Sequence, residues 1–333
     1  MAQVRAARRA VLAGLVGVVA LHLGLNVALD TVRPQWRDPE YGHRLGELRP
    51  RAGRGKLLVV LGSSRVQMGI NPAAVPLAGV TVYNLSQAGC GPAGELLNFR
   101  RLLREGVRPD FLLVECLTPV LAGDGPFEGG LFPDRLSLAD LRDIAPLCDD
   151  PAAVRRRFLA ARVNPWLRYN RSLLCHAGLG RWLYWNQRVD FLWDQLRPGG
   201  WMPYPDAVVP AAKRADGFAR AEREYTPYLA SYHLAAGPER AYRQLAADCR
   251  AAGVKLGFVL MPESPRFRAL YPPGARELAV GFLRELADGP VIDAGDWVPG
   301  EGDFADGHHL MRPGAAILSA RLGPTLAGWT AGP

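Results

Sequence analysis

No two cysteines in this 333-residue chain stand in a CxxC pair. The five present, Cys90, Cys116, Cys148, Cys175 and Cys249, are widely spaced and odd in number. That pattern excludes a ribbon-type structural zinc site. One or two disulfides are compatible with an oxidising compartment, but no spacing selects a pairing, and buried free thiols are the default. Histidine is scarce, with six residues, and no Asp/His cluster of the phosphatase or sulfatase kind stands out. Internal repeats and low-complexity tracts are absent, which excludes a repeat array. Lysine is scarcer still, with only Lys56, Lys213 and Lys255 among 40 basic residues, a bias without a physical account. Excess charge is missing from most of the chain. The net charge is +8, yet residues 1–56 hold ten basic and four acidic side chains and so carry +6 of it. The near-balanced remainder argues against a nucleic-acid-binding face.

What is present begins with a short basic tail, residues 1–9, holding Arg5, Arg8 and Arg9. Residues 10–29 follow without a charge, a length that crosses the hydrocarbon core of a bilayer. Basic residues ahead of the run favour an N-inside orientation. A cleaved signal peptide is the rival reading, but the run is long for one and lacks a clear A-x-A site. The sequence therefore predicts a single-pass anchor in the cytoplasmic membrane, with the rest of the chain on the extracytoplasmic side. Residues 30–56 are rich in Arg, Pro and Gly without sustained periodicity, and read as a juxtamembrane linker. Its arginines are placed to rest on lipid headgroups, diluted by Asp38, Glu40 and Glu47.

Five apolar residues, Leu57 to Leu61, then read as a strand buried on both faces. It ends at Gly62-Ser63-Ser64-Arg65 and leads into a loop through Asn71-Pro72. Further strands are expected at 81–86, 111–117, 254–261 and 290–293. Helices are expected at 92–106, 238–252, 274–287 and from Pro313 to about Leu326. This alternation predicts an α/β domain over 57–333 with a parallel, doubly wound sheet. Residues 118–235 break the rhythm and read as a helical insertion, with helices near 137–147, 151–162 and 170–197. Trp182, Trp185, Val189 and Leu192 or Trp193 fall at helical spacing, which favours a packing stripe over a stacking platform. Trp201, in a Gly-Gly-Trp-Met-Pro loop, is the better candidate for substrate contact.

In open α/β sheets, ligands bind beyond the carboxyl ends of the strands. Ser64 lies at such an exit, and a serine hydroxyl needs a neighbouring base to act as a nucleophile. His308 and His309 follow the last strand and should share that edge. Asp306 precedes His309 by three residues and is placed to accept its N–H, fix its tautomer and stabilise the imidazolium. His309 is accordingly the expected base.

These blocks resemble the SGNH/GDSL hydrolase superfamily. Gly62-Ser63-Ser64-Arg65 is similar to its Gly-Asp-Ser-Leu block, with Ser63 in the usual aspartate position. Asn84-Leu85-Ser86-Gln87-Ala88-Gly89 is similar to the second block. Asp306-Gly307-His308-His309-Leu310, followed by Gly314, is similar to the last. The anchor together with Gly-x-Ser-Arg also resembles a branch of cell-envelope relatives. The resemblance covers about 57–117 and 254–326. It implies a flavodoxin-like three-layer α/β/α sandwich and a Ser64–His309–Asp306 triad. It also implies an oxyanion hole from the N–H groups of Ser64 and Gly89. No metal or diffusible cofactor is implied. The implied activity is that of an esterase or O-acyltransferase on an acyl ester or acylated envelope glycan. The alternative is a non-catalytic envelope assembly or binding protein that retains the fold. The family's third-block asparagine has no counterpart, since the third strand ends in Glu115-Cys116. Glu115, Arg65 and Glu263 remain open between pocket residues and structural ones, as do Asp293, Trp297 and Asp303.

Overall fold

A computed structural model describes residues 2–32, 34–122, 131–176, 178–179 and 196–331. The predicted tryptophan stripe at 182–193 and the Gly123-Asp124-Gly125-Pro126 turn lie outside them. The chain begins with α1 (Ala2–Val27), continued by a π turn at Ala28–Val32. The segment Gln3–Val32 contains an 18-residue window with a mean hydropathy of 2.1 and is long and apolar enough to cross a membrane. Its side chains Val11, Leu12, Leu15, Val16 and Val19 all stand more than half exposed, so the domain does not cover them.

Then follow α2 (Pro39–Leu48), β1 (Lys56–Leu61), α3 (Ser64–Gly69), β2 (Val80–Asn84), α4 (Pro92–Arg104) and β3 (Phe111–Glu115). The region after β3 holds α5 (Leu138–Ile144), α6 (Pro151–Val163), α7 (Pro165–His176) and α8 (Ala211–Leu229). The core resumes with α9 (Ala236–Ala252), β4 (Lys255–Leu260), α10 (Ala275–Leu286), β5 (Val291–Asp293) and α11 (Arg312–Ala331). All neighbouring strands are parallel, in the order 2-1-3-4-5. The order reverses between β1 and β3, and that crevice is where such sheets bind ligands.

Alternation along β1 builds the layers. Leu57, Val59 and Leu61 face a core shared with α2, α4, α9 and α10. Leu58 and Val60 face a second core, filled by Val66 of α3 and by Leu318, Leu322 and Leu326 of α11. A strand covered on both faces has no polar side, which is why its sequence is a continuous apolar run.

Residues 34–48 are not the irregular linker that their composition suggests. Asp38 caps α2, accepting from the Tyr41 N–H, and Pro39 occupies its first turn. Tyr41, Leu45 and Leu48 recur at helical spacing and join the larger core. The adjoining stripe, Glu40 and Arg44, is also buried, and that polar stripe hides the periodicity. Helix α8 likewise has no counterpart in the expected elements, because seven charged residues among its 19 positions leave no sustained apolar stripe.

Asp38 enters a buried ion network with Arg101 (2.8 Å), which Asp140 completes at 2.9 Å. Burial alone would raise the Asp140 carboxyl, but Arg101 and the Ser137 N–H win and hold it down to about 2. A carboxyl lower in the folded than in the unfolded chain stabilises above its unfolded pKa, and that gain fades as pH falls toward the folded value. Asp140 should contribute about 2 kcal/mol at neutral pH, lost between about pH 4 and pH 2. In urea titrations, the stability gap between wild type and Asp140→Asn should narrow over that window. A gap independent of pH would contradict this assignment.

The edge strand β2 is covered by the turn Gly199-Gly200-Trp201. The Asn84 N–H donates to the Gly199 carbonyl at 2.8 Å. Gly200, at φ +85°, lies so close that a Cβ would stand 2.0 Å from the Asn84 carbonyl oxygen. Only glycine fits there, and the edge is closed to other strands.

Candidate active site

The chain leaves β1 through Gly62 and turns at once into α3. Ser63 is the cap of that helix: its hydroxyl accepts from the Arg65 N–H. This places Ser64 in the first helical position, at the sheet edge beside the β1/β3 switch point. The short helix occupies most of the expected loop. The turn leaves no room for a side chain at 62, where a Cβ would meet Val66 at 2.5 Å and Glu115 at 2.7 Å.

Ser64 Oγ lies 2.7 Å from His309 Nε2. His309 Nδ1 lies 2.9 Å from Asp306 Oδ2 and 3.1 Å from Oδ1. The three residues thus form one line of hydrogen bonds, although Ser64 and His309 are 245 positions apart. With Nδ1–H donating to Asp306, Nε2 is left to accept from the serine hydroxyl. Burial would raise the Asp306 carboxyl, but the His309 imidazole and the 308 and 309 N–H groups outweigh it and hold it well below the usual range. It is an anion throughout the pH range in which histidine works.

The loop carrying this pair is tied at both ends. An isolated antiparallel bridge joins Phe304 to Leu310, and the Ala305 N–H donates to the His309 carbonyl. Gly307, at φ +93°, passes under Phe218 of α8, where a Cβ would come within 2.9 Å. Gly217 of the same helix packs on Asp306 with equal closeness. His308 does not join the line. Its ring packs against Phe267, Tyr225 and His309. Burial and the neighbouring imidazole push its basicity far down, so it stays neutral.

Asp306, His308 and His309 also bring possible metal-ligand atoms within 4.8 Å of one another. A cation there would compete with the Nδ1–H contact to Asp306 and take away the carboxylate that orients His309. The donor set suits proton transfer better than metal binding.

The expected contact residues fall elsewhere. Arg65 is 2% exposed and points into the protein, not toward a ligand. Its guanidinium pairs with Glu263 at 3.2 Å and Glu115 at 3.5 Å. It also donates to the carbonyls of His308, Met261 and Pro262. Glu115 accepts from both the N–H and the hydroxyl of Ser63, at 2.7 and 2.8 Å. Glu263 accepts from Tyr271 and pairs with Arg276, which continues to Asp293. Trp201 donates to the Met68 carbonyl and packs on the second core, so it grips the end of α3. All four are structural supports because each polar atom that could reach a substrate is turned inward. Asp303 likewise lies at the loop base, its carbonyl accepting from the Met311 N–H. Trp297 is covered by Arg321.

Gly89 is exposed at φ +71° in the loop after β2. That loop runs beside the serine turn, because the Gln87 N–H donates to the Gly62 carbonyl at 2.9 Å. Its other support was not legible in the sequence. Glu40 of α2 accepts from the Ala88 N–H at 3.1 Å and from Gln67 of α3 at 2.7 Å. Asp38 accepts from Gln87 at 2.8 Å. Helix α2 therefore clamps the serine helix and the glycine loop together. The Asp-Pro cap and the 41/45/48 spacing are the signals that point to that helix. Cys90, Cys116, Cys148 and Cys249 are buried thiols.

No family model matches the chain, and a search of curated proteins finds no match either.

Proposed function

We propose that the chain is a membrane-anchored serine esterase or O-acyltransferase of the SGNH type, working outside the cytoplasm. The Ser64–His309–Asp306 line of hydrogen bonds carries this reading. Ser64 Oγ attacks the ester carbonyl while His309 Nε2 takes its proton. Asp306 orients the imidazole and stabilises its cation. The Ser64 and Gly89 N–H groups hold the oxyanion. His309 then returns the proton to the leaving alcohol, and the acyl group stays on Ser64. Water, or a sugar hydroxyl, takes it up with His309 again acting as base. The acyl ester of an envelope glycan fits the location that the anchor implies, by family analogy.

The absence of an asparagine at the end of β3 favours a second reading, a binding protein that retains the fold. Glu115 stands there instead and is occupied by Ser63. One missing oxyanion donor lowers turnover by about 100- to 1,000-fold, so a slow enzyme and an inactive one must be told apart directly. A fluorophosphonate probe on the full-length protein does so. The enzyme reading expects one labelled site per chain, abolished in Ser64→Ala. An unlabelled wild type, also inert on acetyl esters, rejects it in favour of the binding protein.

A further inference from the structure

A cavity of about 410 Å³ opens where the N-terminal helix meets the domain. Its wall starts at Leu29 and Asp30, at the end of that helix, and continues along α2, α4 and the start of α5. Arg37, Arg49, Arg101, Arg104 and Arg135 line it, against four carboxylates. Several of these charges neutralise one another: Arg37 pairs with Asp30, and Arg101 with Asp38 and Asp140. Two donors in the wall do not. Arg37 Nε and the Tyr41 hydroxyl belong to residues only 3% and 8% exposed, and neither has a hydrogen-bond partner. Buried donors without an acceptor are rare. Both residues line the cavity, and an acceptor entering it that reached either donor would satisfy it. Arg49, whose side chain is 53% exposed, pairs with Glu105 at the rim, where solvent screens the pair and an entering anion can compete for the guanidinium.

We propose that this cavity binds the phosphate-bearing headgroup of a membrane lipid. A phosphate group supplies several strong acceptor oxygens, and guanidinium recognises it with paired hydrogen bonds. The position selects a lipid over a soluble phosphate. The cavity lies at the end of a helix long enough to span a bilayer, at the level where headgroups sit. The exposed apolar side chains of α1, such as Leu21, Leu23 and Val27, offer a path for the acyl chains. The site shares no residue with the serine line, and its occupancy does not depend on the chemistry at Ser64.

The test uses the full-length protein, purified in detergent, stripped of lipid, and followed by native mass spectrometry and thermal shift. The ligands are phosphatidylglycerol, phosphatidylethanolamine, diacylglycerol and inorganic phosphate. Saturable binding of one phospholipid per chain is expected, with a rise in melting temperature. Tyr41→Phe removes only the unpaired hydroxyl and should fold as wild type while binding phospholipid about 3- to 10-fold more weakly. Arg49→Gln changes an exposed pair with Glu105 and should weaken binding by a similar factor. Equal binding of diacylglycerol would assign the effect to the apolar helix and overturn the proposal. Equal protection by inorganic phosphate would identify a soluble-phosphate site and overturn the lipid assignment. Unchanged affinity in both variants would remove the cavity from consideration.

Discussion

His309→Ala is expected to lower turnover of an acyl ester by about 10⁴- to 10⁶-fold. The geometry sets the size of the effect. Among the described residues, Ser64 has one base within hydrogen-bond reach, and its Nε2 lies 2.7 Å from the serine oxygen. Without the imidazole, the hydroxyl must lose its proton to water, and the leaving alcohol receives none. The fold should survive, because the His309 side chain is partly exposed, at 18%, and the loop is held by backbone bonds on either side. Asp306→Asn should cost about 10⁴-fold, since an amide no longer enforces the Nδ1–H tautomer. Steady-state kinetics on a small acetyl ester, with circular dichroism to confirm folding, measures both. His308 supplies the discriminating comparison. Its ring is enclosed by Phe267 and Tyr225, so His308→Ala should lower stability more than it lowers proton transfer. If His309→Ala kept a tenth of wild-type turnover, the assignment of the base would be wrong.

The second large effect is on stability. Arg65→Met should destabilise the domain by about 3–5 kcal/mol. Arg65 is the cation between Glu115 and Glu263, which are each 2% exposed. Burial would lower its basicity, but the two carboxylates outweigh this and raise it, so it stays charged. Replacing it leaves two buried anions facing each other, with Arg276 and the Tyr271 hydroxyl left to answer Glu263. The same change unties the serine turn from the His308 carbonyl and the β4 exit. Arg65→Lys keeps the charge but not the fork, and should fall between the two. Adding Glu263→Gln to Arg65→Met should restore part of the loss, because the pair is coupled. Urea denaturation of wild type, Arg65→Met, Glu263→Gln and the double variant gives the cycle. A loss below about 1 kcal/mol for Arg65→Met would show that the network carries little stability.

Much of the framework was legible in the sequence because it rests on local patterns. The run Leu57–Leu61 announces a strand covered on both faces whatever covers it. Observed strand boundaries lie within two residues of those expected, since Gly, Pro and Asp interrupt the pattern at each end. The spacing Asp306-x-x-His309 is likewise local: a three-residue turn containing Gly307 is enough to bring carboxylate and imidazole together. Helix α2 was missed because its face toward the glycine loop is polar. Glu40, Arg44 and Asp38 look like solvated charges until their partners are known.

The sequence by itself determined the apolar N-terminal helix, the α/β alternation, and the candidate serine, histidine and aspartate. Each follows from residue type and short-range spacing. Only the tertiary structure decided what Arg65, Glu115, Glu263 and Trp201 face. It also turned the supposed linker into a clamp on Gly89 and Ser64. The physical reason is distance along the chain. Arg65 meets Glu263 across 198 residues and Glu40 meets Ala88 across 48. Whether a charged side chain looks inward or outward depends on which opposite charge the fold delivers to it.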